Sequence, residues 1–213
     1  MEGMRKVFLV AAVSLFVGLT AMQNVAARPA WILFGDAEFV KMGQGDNPWA
    51  VQLRSDADIP PSYGGVAFNP RGGSFLFQDL WALSTDYDVT DDDCGGGSPR
   101  FQVRLDTDGD GLSNGQIFVY IGPVPNFTGC TPGWQSTGNL IGGLDARWDS
   151  TQLGGPFYGT YAQSLAMFGD ADVIRVLLVV DGSWTQTDGE QTILVDNVTV
   201  NDEVLEDHGA QQA

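Results

Sequence analysis

Apolar residues along this chain fall in short alternating runs rather than in helical stripes. Phe101, Val103 and Leu105 alternate with Gln102 and Arg104, and Ile117, Val119 and Ile121 alternate with Phe118 and Tyr120. A period of two marks a half-buried strand. The polar, Gly/Asp-rich stretch DTDGDGLSNGQ separates the two runs, so together they read as a hairpin with a long loop. One face of the pair enters the core, and the other presents Gln102, Arg104, Phe118 and Tyr120. Val173–Val180 is apolar except for Arg175, the pattern of a buried central strand. Thr192–Val200 supplies the last strand, and Trp31–Phe34, Phe39–Met42 and Trp49–Leu53, broken by Gly and Asp, read as an N-terminal strand, a turn and another short strand. Over 75–83 both parities are half apolar, which predicts a strand covered on both sides with Trp81 on its core face. Residues 122–156 are rich in Gly, Pro, Ser and Thr and read as a loop with a short strand near 145–150. Only 160–168 has a helix-compatible composition, ended by Gly169. Eight or more strands, one short helix near 160–168 and no βαβ unit predict an all-β fold. A two-sheet β-sandwich covers such strands most simply, with jelly-roll connectivity the preferred wiring.

Composition narrows the function classes. Ten Lys and Arg face 27 Asp and Glu in 213 residues, a net charge of −17 and a pI near 4.1. Binding to a nucleic-acid backbone needs the opposite sign and is excluded. A hydrophobic content of 43% excludes an acidic disordered tail. Residues 1–27 begin MEGMRK, continue VFLVAAVSLFVGLTA and end in small residues up to Ala27, the layout of a secretory signal peptide. One β-sandwich domain is expected over 28–205 and a flexible tail over 206–213. No later apolar run approaches the ~18 residues of a membrane span. The mature chain is therefore expected to be secreted, periplasmic or at the cell surface, without a transmembrane segment. Its only cysteines, Cys94 and Cys130, predict one disulfide in that setting. The single histidine, His208, lies in the expected tail, which removes a Ser-His-Asp hydrolase and a multi-histidine metal centre. No signature of an organic cofactor is present.

The sharpest motif is Asp106-Thr-Asp-Gly-Asp-Gly111. Asp106, Asp108 and Asp110 set hard oxygens at alternate positions before a glycine bend, as in the first half of a calcium loop. Leu112 could add its carbonyl and Asn114 its side chain. Ile117 stands where an EF-hand needs a bidentate Glu, so a true EF-hand is rejected. A calcium turn of a sandwich and a solvated Asp-Gly connection both remain. Asp91, Asp92 and Asp93 offer a second ion site, a completion of the first, or an exposed acidic loop after the 75–83 strand. Asp196 shares parity with Leu194, Val198 and Val200. Regular alternation sends it to the core, where a carboxylate needs a partner. Arg175, Arg100 or Arg104 could pair with it, it could hold a metal or ligand, or a bulge could turn it outward. Trp134, Trp148 and Trp184 sit in Gly-rich segments that could expose them as sugar platforms, beside the alternative platform of Gln102, Arg104, Phe118 and Tyr120.

The segment Thr192-Ile-Leu-Val-Asp-Asn-Val-Thr-Val200, with Val179-Val180-Asp181-Gly182 before it, resembles the final strands of galactose-binding-like jelly rolls, a group containing many carbohydrate-binding modules. Residues 83–101 are also similar to a segment of exported bacterial proteins. The resemblance implies a sugar-binding sandwich over roughly 31–202, often with a structural calcium. The long segment between Cys94 and Cys130 departs from those modules. The leading expectation is an exported, non-catalytic, calcium-stabilised carbohydrate-binding protein whose partner is a glycan. One alternative is a structural or cell-surface domain with an extracellular protein partner. The other is an extracellular glycan-active enzyme, which needs two facing carboxylates ~5–10 Å apart.

Overall fold

A computed structural model describes residues 30–45 and 48–205. The expected signal peptide, the tail and His208 lie outside the described residues. The chain builds the strands β1 (Trp31–Gly35), β2 (Ala37–Val40), β3 (Ala50–Asp56), β4 (Gly64–Phe68), β5 (Phe75–Leu76), β6 (Leu83–Asp91) and β7 (Arg100–Asp106). It continues with β8 (Gly115–Tyr120), β9 (Gln135–Ser136), β10 (Trp148–Asp149), the helix α1 (Tyr161–Phe168), β11 (Asp172–Val180), β12 (Glu190–Val200) and β13 (Glu203–Val204).

Among the described residues these strands form two antiparallel sheets. Sheet A runs β1-β4-β11-β7-β8-β10, with β5 beside β11, and sheet B runs β2-β3-β12-β6-β9, with β13 beside β12. The architecture is the expected all-β, two-sheet sandwich of jelly-roll-like form, with one short helix. Period-two alternation fills the space between the sheets. Val66, Phe101, Val103, Ile117, Val119, Val176 and Leu178 point in from sheet A. Val51, Leu53, Leu83, Tyr87, Ile193 and Val195 point in from sheet B. Apolar area removed from water in this way is the main stabilising term of a sandwich. Helix α1 starts where Thr160 and Gln163 exchange bonds in a capping box, and it seats Tyr161 against Phe77 and Trp148.

Several local expectations change. The 75–83 strand is broken: only Phe75–Leu76 pairs, and Phe77–Asp79 is a 3-10 turn. The N–H groups of Phe77 and Gln78 donate to the carbonyls of Ala171 and Gly169, so this turn docks on the segment after α1. The break buries Phe77 and Leu80 and leaves Trp81 54% exposed, off the core face. The acidic stretch after it becomes a loop only from Asp92 onward. Up to Asp91 it is the nine-residue strand β6, with Leu83, Thr85, Tyr87 and Val89 buried and Asp86 and Asp88 on the outer face. The register of β12 against β6 shifts between Asp196 and Thr199, where Asn197 has φ 50°. This bulge inserts one residue, so Ile193 and Val195 before it and Val198 and Val200 after it all face the core. Asp196 is thereby turned to the outer side of sheet B, opposite Asp86, where it stays buried and accepts from the N–H groups of Gln44 at 3.4 Å and Asn197 at 2.7 Å. It does not pair with the arginines named above, which belong to sheet A. Arg175 Nε donates to Asn69 Oδ1 at 2.8 Å, and Arg100 pairs with Asp181.

The outer faces differ in chemistry. Glu38, Asp86, Asp88 and Asp196 lie on the outside of sheet B. The outside of sheet A holds Phe34, Ala67, Leu177 and Val179 as a small second apolar cluster, followed by the polar and aromatic positions of β7 and β8. Gly65 makes this close packing feasible, because a Cβ there would lie 2.3 Å from Phe34 Cζ.

Candidate functional site

Strand register sets out the outer face of sheet A in rows. One row reads Ala67, Leu177, Gln102, Phe118 and Asp149 across β4, β11, β7, β8 and β10. The next reads Gly65, Val179, Arg100 and Tyr120. The face therefore grades from aliphatic to amide and guanidinium, then to aromatic. Arg100 fixes its centre. Its Nη1 and Nη2 each bond Asp181 at 2.7 Å, its Nη1 also donates to Gly97 O at 3.1 Å, and its guanidinium lies 4.7 Å from the Phe118 ring centroid. With its amide oxygen toward Arg100, Gln102 accepts from Nε at 3.3 Å and Nη2 at 2.9 Å and donates to Gln116 Oε1 at 3.2 Å. It is buried and satisfied by these neighbours, so it is a support of the face and not the ligand contact its outward parity predicts.

At the β8–β10 edge the residues separate into support and surface. Tyr120 is buried and donates its hydroxyl to Asp149 Oδ2 at 2.7 Å, while Asp149 Oδ1 accepts from the Thr151 N–H and hydroxyl. Burial and the Asp149 bond push the Tyr120 hydroxyl far above the ordinary tyrosine range. The ring is packed by Phe127 at 5.7 Å, Tyr158 at 5.9 Å and Phe157 at 6.4 Å. Tyr120 is thus a support and not an open ligand contact. Phe157 and Tyr158 take the surface role, at 53% and 45% exposure. Their only signal in the sequence is a Phe-Tyr pair in the Gly-flanked turn GGPFYGT.

The tryptophans divide in the same way. Trp148 is fully buried between Phe77 and Tyr161, so it is a core residue and no sugar platform. Although its surroundings are Gly-rich, its strand β10 pairs with β8, and Trp148 also bridges to Gly159. Trp134 is half-buried beside β9. Trp184 is 71% exposed on the 3-10 turn Ser183–Thr185, and Gly96 lies against its ring.

The acidic candidates resolve into three arrangements. In the β7–β8 loop, oxygens of Asp106, Asp108 and Asp110 lie within 4.8 Å of one another, a spacing that one hard cation could span. Asp106 is buried at the loop base and accepts from the N–H groups of Asp108 at 3.1 Å, Gly109 at 2.7 Å and Gly111 at 2.7 Å. Burial pushes its carboxyl up, but these donors outweigh burial and hold it below the ordinary carboxylate range. Asn114 Oδ1 accepts from the Thr107 N–H and hydroxyl and its Nδ2 donates to Asp108, so this residue braces the loop. Leu112 is exposed.

Asp91, Asp92 and Asp93 do not complete that site. Asp91 ends β6 of sheet B and Asp92 and Asp93 follow it, whereas the 106–111 loop follows the C-terminal end of β7 on sheet A. Asp91 and Asp92 meet Asp188 in a fully exposed cluster. A hydrogen bond with Asp188, reinforced by its charge and those of Asp91 and Asp93, raises the Asp92 carboxyl to about 6. Asp93 turns away and clamps the disulfide, accepting from the N–H groups of Cys94, Gly129 and Cys130. The Cys94–Cys130 bridge itself is formed, across 36 positions of sequence.

The fold and site define an all-β sandwich with an aromatic, arginine-centred outer face and acidic clusters that could coordinate a cation. No protein-family model matches the chain, and no curated protein matches it. Among solved structures, the chain is similar to an exo-beta-agarase, at 17% identity and a TM-score of 0.37. The alignment covers 80% of this chain and 23% of the agarase chain. Among the described residues no helix is long and apolar enough to cross a membrane.

Proposed function

We propose that this chain is an exported, non-catalytic glycan-binding β-sandwich that recognises its ligand on the outer face of sheet A and is stabilised by calcium in the 106–114 loop. The observation that carries the reading is the exposed pair Phe157 and Tyr158, seated on buried Tyr120 at the β8–β10 edge, with half-buried Phe118 on the same face of sheet A. A sugar ring has apolar faces that lie on aromatic rings and hydroxyls that bond to polar groups; on this side of the sandwich Phe157 and Tyr158 offer the first, and half-buried Arg104 and exposed Arg175 the second. Asp149 and Asp181 border the face, and each is held by donors of its own, Tyr120 and Thr151 in one case and Arg100 in the other. Such carboxylates suit a scaffold better than proton transfer. Disulfide chemistry and the N-terminal sequence pattern support export.

The test is a glycan array read with wild type and with F157A/Y158A. Binding that falls at least ~10-fold in the variant is expected, as for the loss of an exposed aromatic platform worth ~1–3 kcal/mol. A folded wild-type protein that binds no glycan, with or without calcium, would sink the proposal. Release of new reducing ends from a bound glycan would replace it with a glycan-active enzyme.

A further inference from the structure

Seven Lys and Arg side chains lie among the described residues, and five have evident electrostatic partners. Arg54 bonds Glu190 and Asp56, Arg71 lies 3.5 Å from Glu203, Arg100 holds Asp181, and Arg147 holds Asp145. Lys41 Nζ sits 5.1 Å from the Trp49 ring centroid. Arg104 and Arg175 are the exceptions: among the described residues neither guanidinium approaches a carboxylate within 4.0 Å. They are also direct cross-strand partners on β7 and β11. Like charges placed opposite one another repel, and a chain of net charge −17 has ample carboxylates to relieve them.

The carboxylates nearest in the register, Asp106 and Asp172, are engaged elsewhere. Asp106 accepts three backbone N–H groups, and Asp172 accepts the Ser74 hydroxyl at 2.7 Å. Arg175 spends its Nε on Asn69. Its two terminal nitrogens and the whole Arg104 guanidinium have no hydrogen-bond acceptor among the described residues. Both arginines line one depression of about 590 Å³ at the end of the sheet A face, together with Ser74, Ser113 and the two engaged carboxylates, Asp106 and Asp172. Two adjacent guanidinium forks in an open hollow are suited to an oxyanion, which each can bind through paired N–H groups.

We infer that Arg104 and Arg175 form a subsite for an oxyanion substituent of an anionic glycan, a uronate carboxylate or a sulfate ester. This inference rests on the glycan-binding reading and specifies its ligand class. The overall negative charge of the protein opposes a polyanion, so retention of one requires a local basic site.

The experiment is affinity electrophoresis at low salt through gels containing a polyuronate, a sulfated galactan or a neutral galactan, in separate arms. It compares wild type with R175Q, R104Q/R175Q and the control R71Q. Wild type should be retarded most by one of the two anionic glycans, and that arm identifies the substituent. The double variant should lose ~10-fold or more of this affinity, R175Q part of it and R71Q none. Relief of the cross-strand repulsion should leave the thermal midpoint of the double variant no lower than that of wild type, which separates lost binding from lost folding. Equal or stronger retardation by the neutral glycan, or an unaltered double variant, overturns this subsite and leaves glycan binding standing. Absence of retardation in all three arms overturns both.

Discussion

Replacing Tyr120 by Phe removes one hydroxyl and keeps the ring against Phe127, Phe157 and Tyr158. Asp149 Oδ2 then loses its 2.7 Å donor in a site where Asp149 is 4% exposed, while Oδ1 keeps Thr151. A hydrogen bond to a charged, buried partner contributes ~1.5–3 kcal/mol. For a domain of this length that lowers the thermal midpoint by ~3–12 °C. Calorimetry of wild type, Y120F, D149N and the double variant gives the coupling between the two groups, expected at ~1 kcal/mol or more. Glycan affinity should stay unchanged in Y120F, since the hydroxyl faces Asp149. A stability loss below ~0.5 kcal/mol combined with weakened glycan binding would refute the assignment of Tyr120 as a support and return it to the ligand.

Calcium should release or absorb measurable heat on titration into wild type, and should raise its midpoint by ~5–10 °C at a hundredfold excess over the dissociation constant. D108N/D110N should abolish both effects without the damage that losing Asp106, with its three backbone bonds, would cause. A wild type indifferent to millimolar calcium would rule the ion out. The Asp92–Asp188 cluster predicts a pH effect of definite sign. The folded chain holds a proton on Asp92 up to about 6, whereas the unfolded carboxyl releases it near the ordinary ~3.9. The stability this proton contributes is whole below the unfolded value and is lost as pH rises through about 6. The Asp188 carboxyl, lowered by the bond to Asp92, works in the opposite sense only at still lower pH. Unfolding midpoints measured from pH 4 to pH 7 should therefore fall between about pH 4 and pH 6 and level off above, a slope that is absent in D92N. An identical profile in the variant would contradict the shared proton.

The hairpin β7–β8, the strand β11, the helix α1 and the disulfide follow directly from local pattern, since each is encoded by its own residues. The other features depend on distant partners. Strand β6 carries Asp on its outer face and Thr85 on its inner one, so it has the composition of an acidic loop. Thr85 is tolerated inside because its hydroxyl donates to the carbonyls of Asp86 and Asp196. Trp148 enters the core through pairing of a two-residue strand, which its Gly-rich neighbours do not announce. Parity reads Asp196 as inward because alternation has no means of counting a bulge. In the candidate site, the outward set Gln102, Arg104, Phe118 and Tyr120 was legible. Which members are covered was not, because the cover comes from Phe127, Phe157 and Tyr158 in the following loop.

The unlike outer faces have a consequence for the moments before contact. Sheet B turns Glu38, Asp86 and Asp88 outward, while sheet A carries Arg104 and Arg175. These two arginines give a net anion one locally basic spot, at the end of sheet A. Near a negatively charged polymer wall such a molecule feels a repulsive force and, at the same time, a torque that turns its basic spot toward the wall. The force slows arrival, but the torque sorts orientations, so under the proposed glycan reading a larger share of encounters begins with Arg104 and Arg175 forward. Both act only within a screening length of ~8–10 Å at moderate salt, where the chains are already within reach of touching.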